Sequence, residues 1–514
     1  MALPGEHKST CGTGFSCCTA DMEYKLTEKA EDEFKANLYE ASFLVRDSYV
    51  SKSEKFDGYF LELLDQSESD FTKMFEHTYG DLYKDHKDIF SDLYVDLRQF
   101  YQGKIDDLEK ALDDFFGSLL LKMFTLLNPG VHSDEFMVCI TENMDELKPF
   151  GTIPEALSTQ MRRSLNAART YVQGLDAARD IVIKATKESP TQECKSALMK
   201  MDYCSSCKGI SSDVAPCDGL CTNIMKACLA QQAELQTEWT KFIEHMLKLG
   251  GRMGASFNIE TVIDSINVKI SEGIMNYQEN TQHVTEKSFE KCGHLVRKRR
   301  SSEPNKKKLD KKSDWSRYRP QGNNNPSSTA LGATLNGYIA ETAEMLKNSI
   351  NFWADLPYLM CNDDNYAAEA SNQNCWTGIE IGNYDRPIVK SGLEFQGNNS
   401  EVDMVSRIRS PSTLEYKALL KDITAQLNHA YTGRNTKFIS LVPDDEDYDE
   451  EGSGSGSGSG SGDGSVNDIT VTTIDNDPKY RPTKFPDNAA PSQATITLSV
   501  LIFSMLFSCL FRGH

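Results

Sequence analysis

Five serines, Ser453, Ser455, Ser457, Ser459 and Ser461, alternate with glycine directly after the acidic run Asp444–Glu451. No packed core can form here, because Tyr448 is the only apolar side chain between Asp444 and Gly462 and the glycines would lose the most freedom on ordering. The pattern offers a row of accessible hydroxyls beside carboxylates, an acceptor arrangement for xylose-initiated glycosaminoglycan chains. A plain flexible linker has the same composition, so the rest of the chain must discriminate acceptor from spacer.

Cysteine is the second reactive residue type. Thirteen of the 14 cysteines precede this stretch and six fall within Cys194–Cys228, a density that fits a disulfide framework made in an oxidising compartment. Because thirteen is odd, at least one lacks a partner in this chain. The cluster admits two other uses. Cys204-Ser-Ser-Cys207 with Cys217 and Cys221 has tolerable zinc spacing, and Cys204 with Cys207 is a Cys-x-x-C pair, though without a surrounding βαβ pattern. Nine histidines form no H-E-x-x-H, and no G-x-S-x-G elbow is present. The expectation is a non-enzymatic chain with no catalytic residue, metal or cofactor, its extra chemistry being covalent modification.

Three further sites are readable. Arg297-Lys298-Arg299-Arg300 satisfies the R-x-[K/R]-R pattern of proprotein convertases, with cleavage expected between Arg300 and Ser301, inside a basic stretch of nine Lys/Arg from Arg297 to Lys312. The alternative is a solvated loop that is never cut, or a patch that contacts sulfated polysaccharide. Asn398-Asn399-Ser400 is the one N-x-[ST] sequon, which makes Asn398 an expected N-glycan site. At the C-terminus, Asn488-Ala489-Ala490, a short polar spacer and the apolar run Ile496–Phe511 form the signal for a glycosylphosphatidylinositol (GPI) anchor, with Asn488 as the attachment point and the tail removed. The apolar run is short for a bilayer span of about 20 residues, which disfavours a tail-anchored helix.

These sites need a body to carry them, and the pattern predicts helices. Asp21–Asn128 is helical throughout: Phe90, Leu93, Tyr94, Leu97 and Tyr101 share one face, as do Leu108, Leu112, Phe115, Phe116 and Leu119. Phe71, Phe75 and Tyr79 lie on a similar stripe, read as core. Ile153 to about Lys187 follows, with Leu165, Ala168, Val172 and Leu175 inward and Arg162, Arg163, Arg169 and Arg179 on its solvated side. Further helices are expected over the segment after Cys228, over Asn258–Lys291, Ala330–Trp353 and about Ser412–Tyr431, and strand signals are scarce. The organisation is a cysteine-rich helical core over 1–440 with an exposed basic loop at 297–328, a disordered acidic and Ser-Gly stalk over 441–490, and the removed tail 491–514.

The formal charge of −21 argues against a nucleic-acid partner, since it cannot offset phosphate repulsion. Seven of those charges sit in Asp444–Glu451, so the folded part is less extreme. MALPGEHKSTCGTGFSCC contains no apolar segment of the kind a signal peptide needs. The anchor signal demands secretory entry, so the expectation is that the true start lies upstream of Met1.

With these pieces placed, the chain resembles the glypicans, cell-surface heparan sulfate proteoglycans. The most specific part is CKSALMKMDYCSSCKGI followed by PCDGLCTNIMKACLAQQAELQTEW, within Cys194–Trp239. Cys11 with Cys17-Cys18, ARTYVQGLDAARDIV (Ala168–Val182) and CNDDNYAAEASNQNCWTGI (Cys361–Ile379) fall in the family's order, and QGNNSEVDM (Gln396–Met404) is similar to the Dally-like, glypican-4/6-type branch. The resemblance implies a mainly α, elongated, disulfide-stapled core. It implies the pairs Cys11–Cys204, Cys18–Cys207, Cys139–Cys292, Cys194–Cys228, Cys217–Cys375 and Cys221–Cys361, with Cys17 left over because its family partner lies upstream. It further implies a monomer on the outer leaflet of the plasma membrane, held by GPI, that presents heparin-binding morphogens and growth factors of the Wnt, Hedgehog, FGF and BMP classes as a co-receptor, with roles in Wnt signalling and cell migration. The alternative is a GPI-anchored adhesion or receptor protein without glycosaminoglycan chains.

Overall fold

The computed structural model describes residues 10–12, 16–128, 133–211, 213–293, 335–362, 366–369, 372–404 and 408–439. These belong to one compact unit, residues 1–446; a second unit, 447–514, falls outside the described residues.

The first helix runs from Ala20 to Tyr79, 60 residues, or about 90 Å at 1.5 Å per residue. Thr19 starts it by accepting the Met22 N–H, and Gly80 ends it with φ at 57°. Between these caps there is no proline, and Ala30, Phe34, Leu38, Tyr49, Phe56, Tyr59, Leu63, Phe71 and Phe75 are buried along one winding face. The predicted helical region up to Asn128 is therefore real but broken. After Gly80 come a short turn of helix and then Lys87–Tyr101 and Leu108–Leu127, whose predicted faces are buried. Leu108 begins the latter under a side-chain cap from Asp107.

Ile153–Ala185 is the hub. Every residue from Ser164 to Leu175 is buried, because the helix packs against the first helix, Leu108–Leu127, Gln236–Met253, Ile259–Asp264, Ile266–Glu279 and Pro411–Thr432. Small residues make that crowding possible. A Cβ on Gly174 would stand 2.5 Å from Met246 Sδ. Trp239 and Trp353, both fully buried, cross edge to face at 5.8 Å, Tyr49 packs on Trp239 at 5.6 Å, and the Trp239 indole N–H donates to Ser349 O. This junction joins the first helix to the C-terminal third of the core.

The predicted helix over Ala330–Trp353 is described from Leu335 and stops at Asn348, and a separate helix, Phe352–Cys361, follows. Thr281–Cys292 completes the Asn258–Lys291 region. The described strands are two residues each, Cys375–Trp376 antiparallel to Ile381–Gly382, and a 3₁₀ helix covers Leu393–Asn398. Among the described residues no helix is long and apolar enough to cross a membrane.

One expectation fails outright. Arg169 does not lie on a solvated side: it is 1 % exposed, while Arg163 is exposed and Arg162 and Arg179 are half-buried. The physical reason is coverage. Asn166, Arg169, Thr170 and Gln173 form a polar stripe on the hub helix, and the segment Arg434–Ile439, returning after Pro411–Thr432, lies across it. Thr170 donates to Thr436 Oγ1, Thr436 donates to Asn166 Oδ1, and Gln173 donates to Ile439 O at 3.2 Å.

Candidate functional site

Five of the six disulfides converge on three short helices and their caps, Gln192–Asp202, Cys204–Cys207 and Asp218–Cys228. Cys194–Cys228 ties the first of these to the last. Cys11–Cys204 and Cys18–Cys207 bring in the N-terminal segment, and Cys217–Cys375 and Cys221–Cys361 bring in the segment after Phe352. Cys139–Cys292 stands apart and joins helix Asp134–Glu142 to Thr281–Cys292. The structure thus brings together the same six pairs that the resemblance implies. Cys17 is an exposed free thiol whose backbone N–H donates to Cys207 O at 2.9 Å.

This arrangement disposes of the two chemical alternatives for the cluster. Cys204, Cys207, Cys217 and Cys221 are each bonded to a distant cysteine, so none offers a thiolate to zinc. A redox Cys-x-x-C pair needs an accessible sulfur that alternates between partners, whereas Cys204 and Cys207 are 0 % exposed and not bonded to each other. Among the described residues no group of His, Cys, Asp and Glu could hold a metal ion.

Arg300 and Ser301 lie outside the described residues, but both flanks are described. On the N-terminal side Cys292 is stapled to Cys139. On the C-terminal side the Leu335 N–H donates to Glu260 Oε1 at 3.0 Å, and the Tyr59 hydroxyl donates to the same oxygen. Burial and that neighbouring carboxylate push the Tyr59 phenol far up.

Asn398 is exposed at the end of its 3₁₀ turn. Its neighbour is not. The Asn399 amide donates to Asn223 O at 2.8 Å and to Gln396 Oε1 at 2.9 Å, and its oxygen accepts the Glu401 N–H. Glu401 has a fully buried side chain that takes hydrogen bonds from Tyr384 and Arg386 as well as from the Ser400 hydroxyl.

Beyond the predicted sites, the structure shows two features that sequence reasoning missed. The first is the Arg169 clamp. Its guanidinium donates to Phe100 O at 3.1 Å, Asn166 Oδ1 at 3.3 Å, Thr436 O at 2.8 Å and Thr436 Oγ1 at 3.2 Å, and lies 4.2 Å from the Phe100 ring centre. Burial lowers its pKa to about 10. It therefore stays charged at neutral pH and holds the last described residues before the acidic run. The cue was available: Leu165 and Val172 bracket Arg169 at i−4 and i+3, on the buried stripe. The second feature is an apolar cavity of about 210 Å³, lined by Phe75, Tyr83, Phe90, Met123, Leu127 and Ile274 among others, with His86 and Lys122 also in its wall.

Ser453, Ser455, Ser457, Ser459, Ser461 and Asn488 lie outside the described residues. Comparison with known proteins supplies what geometry cannot. A family model described as Glypican matches residues 1–508. Glypican-1 of Xenopus tropicalis is 35% identical over 438 residues, 85% of this chain and 77% of that protein. Glypican-2 of Mus musculus is 33% identical, over 87% of this chain and 76% of its own length. Among solved structures, C-terminally truncated glypican-1 superposes with a TM-score of 0.71 at 29% identity, covering 84% of this chain and 94% of that one. The Dally-like protein in complex with O-palmitoleoyl serine superposes with a TM-score of 0.60 at 31% identity, covering 82% and 90%.

Proposed function

This chain belongs to the glypican family, and from that premise we propose that it is a GPI-anchored cell-surface core protein whose heparan sulfate chains, built on Ser453 to Ser461, gather heparin-binding growth factors and morphogens. The observation that carries the reading is the position of the Ser-Gly run. It follows an acidic stretch and a six-disulfide helical core to which the family model extends without interruption.

A sulfated polymer captures basic ligand patches through Coulomb attraction and release of condensed counterions, so capture weakens steeply with salt; the counterion argument is worked out for nucleic acid and extends here by analogy. Several chains on one stalk add multivalency and raise the ligand's effective concentration at the membrane. Once Asn488 carries the lipid, the anchor keeps the stalk, and the folded core that precedes it, at the outer leaflet. Asn398 carries an N-glycan, and cleavage after Arg300 leaves two halves joined by disulfides. The ligand class is Wnt, Hedgehog, FGF or BMP.

Heparinase digestion of the protein from expressing cells tests the reading. A broad smear that collapses to a sharp band supports it, and replacing the five serines by alanine should abolish the smear. An unchanged band supports the adhesion protein without glycosaminoglycan chains and overturns the proposal. Release from cells by phosphatidylinositol-specific phospholipase C checks the anchor separately.

The related Dally-like core in complex with O-palmitoleoyl serine favours a second ligand class, an acyl group held by the core itself. The apolar cavity beside Phe75 and Met123 is the surface we assign to it. Palmitoleate should bind the wild-type core and lose affinity for Met123→Trp; equal binding by both would remove the assignment.

A further inference from the structure

We infer that Asn398 accepts its glycan only before residues 393–401 dock, so that the folded core displays this glycan but cannot acquire it. The inference rests on the reading of Asn398 as an N-glycan site.

Transfer of an oligosaccharide to asparagine needs more than an exposed carboxamide. The transferase must draw the tripeptide into its own cleft, reading the hydroxyl two residues on while the asparagine is held at the reacting centre. In the step itself the Asn398 amide nitrogen forms a bond to C1 of the sugar. The bond from C1 to the diphosphate oxygen of the lipid-linked donor breaks, the lipid diphosphate leaves with the electron pair, and the amide proton goes to a base of the transferase. Asn398 meets the first requirement: it is exposed, and no hydrogen bond ties its side chain. A glycan there projects from the surface without displacing anything.

The two residues after it do not meet the second. Asn399 is 9 % exposed and is tied at both ends of its amide. Its nitrogen donates to Asn223 O and Gln396 Oε1, and its oxygen receives the Glu401 N–H at 2.9 Å. Asn223, itself 0 % exposed, grips the same loop further back by accepting the Val389 N–H and donating to Pro387 O and Tyr384 Oη. The Ser400 hydroxyl, the group a transferase reads, donates to the buried Glu401 carboxylate. The 3₁₀ turn is closed by the Asn399 N–H on Gln396 O, which is the opposite of an open tripeptide. The anchor residue Asn223 sits on the helix that carries Cys221 and Cys228, next to Cys217. Docking of the loop is therefore coupled to closure of the disulfides at Cys217, Cys221 and Cys228.

Freeing the tripeptide breaks the three side-chain hydrogen bonds of Asn399, its backbone bond to Gln396 O and one bond of Ser400, which corresponds to a transfer rate lowered by about 100-fold or more in the native chain. The test uses the full chain made in cells with N-glycosylation blocked, then incubated with purified oligosaccharyltransferase and a lipid-diphosphate-linked oligosaccharide. Occupancy of the Asn398 peptide is read by mass spectrometry for the native chain and for the reduced, alkylated, unfolded chain. The expected result is modification of the unfolded chain at a rate about 100-fold above the native one. Comparable rates would overturn the inference, whereas no transfer to either chain would overturn the assignment of Asn398 as an acceptor. Asn399→Ala keeps the sequon but removes the ties. With its fold checked by circular dichroism, it should bring the native rate toward the unfolded one, and an unchanged native rate would show that docking of Asn399 is not what protects the site.

Discussion

Replacing Arg169 by methionine should release the segment Arg434–Ile439 from the hub helix. Methionine has nearly the right length and fills the space, so the change removes donors rather than opening a large hole. Two carbonyl oxygens lose their charged donor: Phe100 O keeps the Gly103 N–H, while Thr436 O is left unpaired, and a buried unpaired acceptor costs about 1–3 kcal/mol. Against this stands the relief of a buried charge. Burial lowers the Arg169 pKa to about 10, well below the usual guanidinium range, which corresponds to about 3 kcal/mol of desolvation at about 1.4 kcal/mol per pKa unit. That penalty is already contained in the net value of the native hydrogen bonds, so it caps the loss without reversing it. The expected loss is about 2–4 kcal/mol, local to the segment before it is global. Hydrogen exchange reads it directly. The Lys437 N–H, which donates to Gln426 Oε1, should exchange about 100-fold faster, while amides in the Trp239–Trp353 junction keep their protection. Arg169→Lys should recover little, because an ammonium is a point donor and cannot span Phe100 O and Thr436 O together. A variant that unfolds more easily while Lys437 keeps its wild-type protection would refute the reasoning.

Three further outcomes follow from named contacts. Gly103 has φ at +74° and a Cβ there would lie 2.3 Å from the Phe438 ring, so Gly103→Ala should loosen the same segment by about 1–3 kcal/mol; hydrogen exchange confined to residues 434–439 would check it. Asp202 has a buried oxygen without a partner, and burial, with Glu33 adding to it, raises its pKa to about 8. The folded state therefore holds a proton that the unfolded state has lost above about 4, so the stability this group contributes is complete below that value and falls as pH rises toward 8. Denaturant midpoints for Asp202→Asn should be flatter over pH 4–8 than for the wild type, and higher at pH 8. Cleavage after Arg300 should leave a single band on a non-reducing gel, since Cys217–Cys375 and Cys221–Cys361 span the cut, whereas the double variant Cys361→Ala, Cys375→Ala should give two bands without reductant.

The helices were legible because their signal is local. Phe90, Leu93, Tyr94, Leu97 and Tyr101 are spaced at the helical period and are buried as a set. What covers a helix is not local. Arg169 reads as solvated among arginines at 162, 163 and 179 because the segment that buries it arrives 267 residues later. Asn399 likewise looks like any residue inside a sequon until Asn223, 176 positions earlier, is placed against it. Spacing alone left zinc, redox and structural uses of the cysteine cluster open; the pairing came from resemblance to a family. The Ser-Gly run proposed as the acceptor is legible for the opposite reason, since a segment without apolar side chains advertises its chemistry in composition.

The disulfides are distributed in a way that core size does not explain. A domain of some 430 residues buries enough apolar surface to fold without covalent help, unlike the small secreted domains that depend on such bonds. Helices on both sides of the basic segment are also interleaved: Pro411–Thr432 packs on Ile153–Ala185, and Leu335–Asn348 packs on Gln236–Met253. Packing alone would therefore hold a chain cut at Arg300 together under native conditions. What packing does not hold is the Gly- and Asn-rich stretch after Cys361, whose strands are two residues long and whose side chains include the exposed Ile379, Ile381 and Ile388. Two of the disulfides, at Cys361 and Cys375, land at the start of that stretch and within it, and Asn223 takes over beyond them, gripping Pro387 and Val389. The covalent bonds stand where helical packing runs out. Their loss should thus show first as opening of residues 372–401, with the sequon at Asn398 inside the opened region, and only afterwards as unfolding of the helical body.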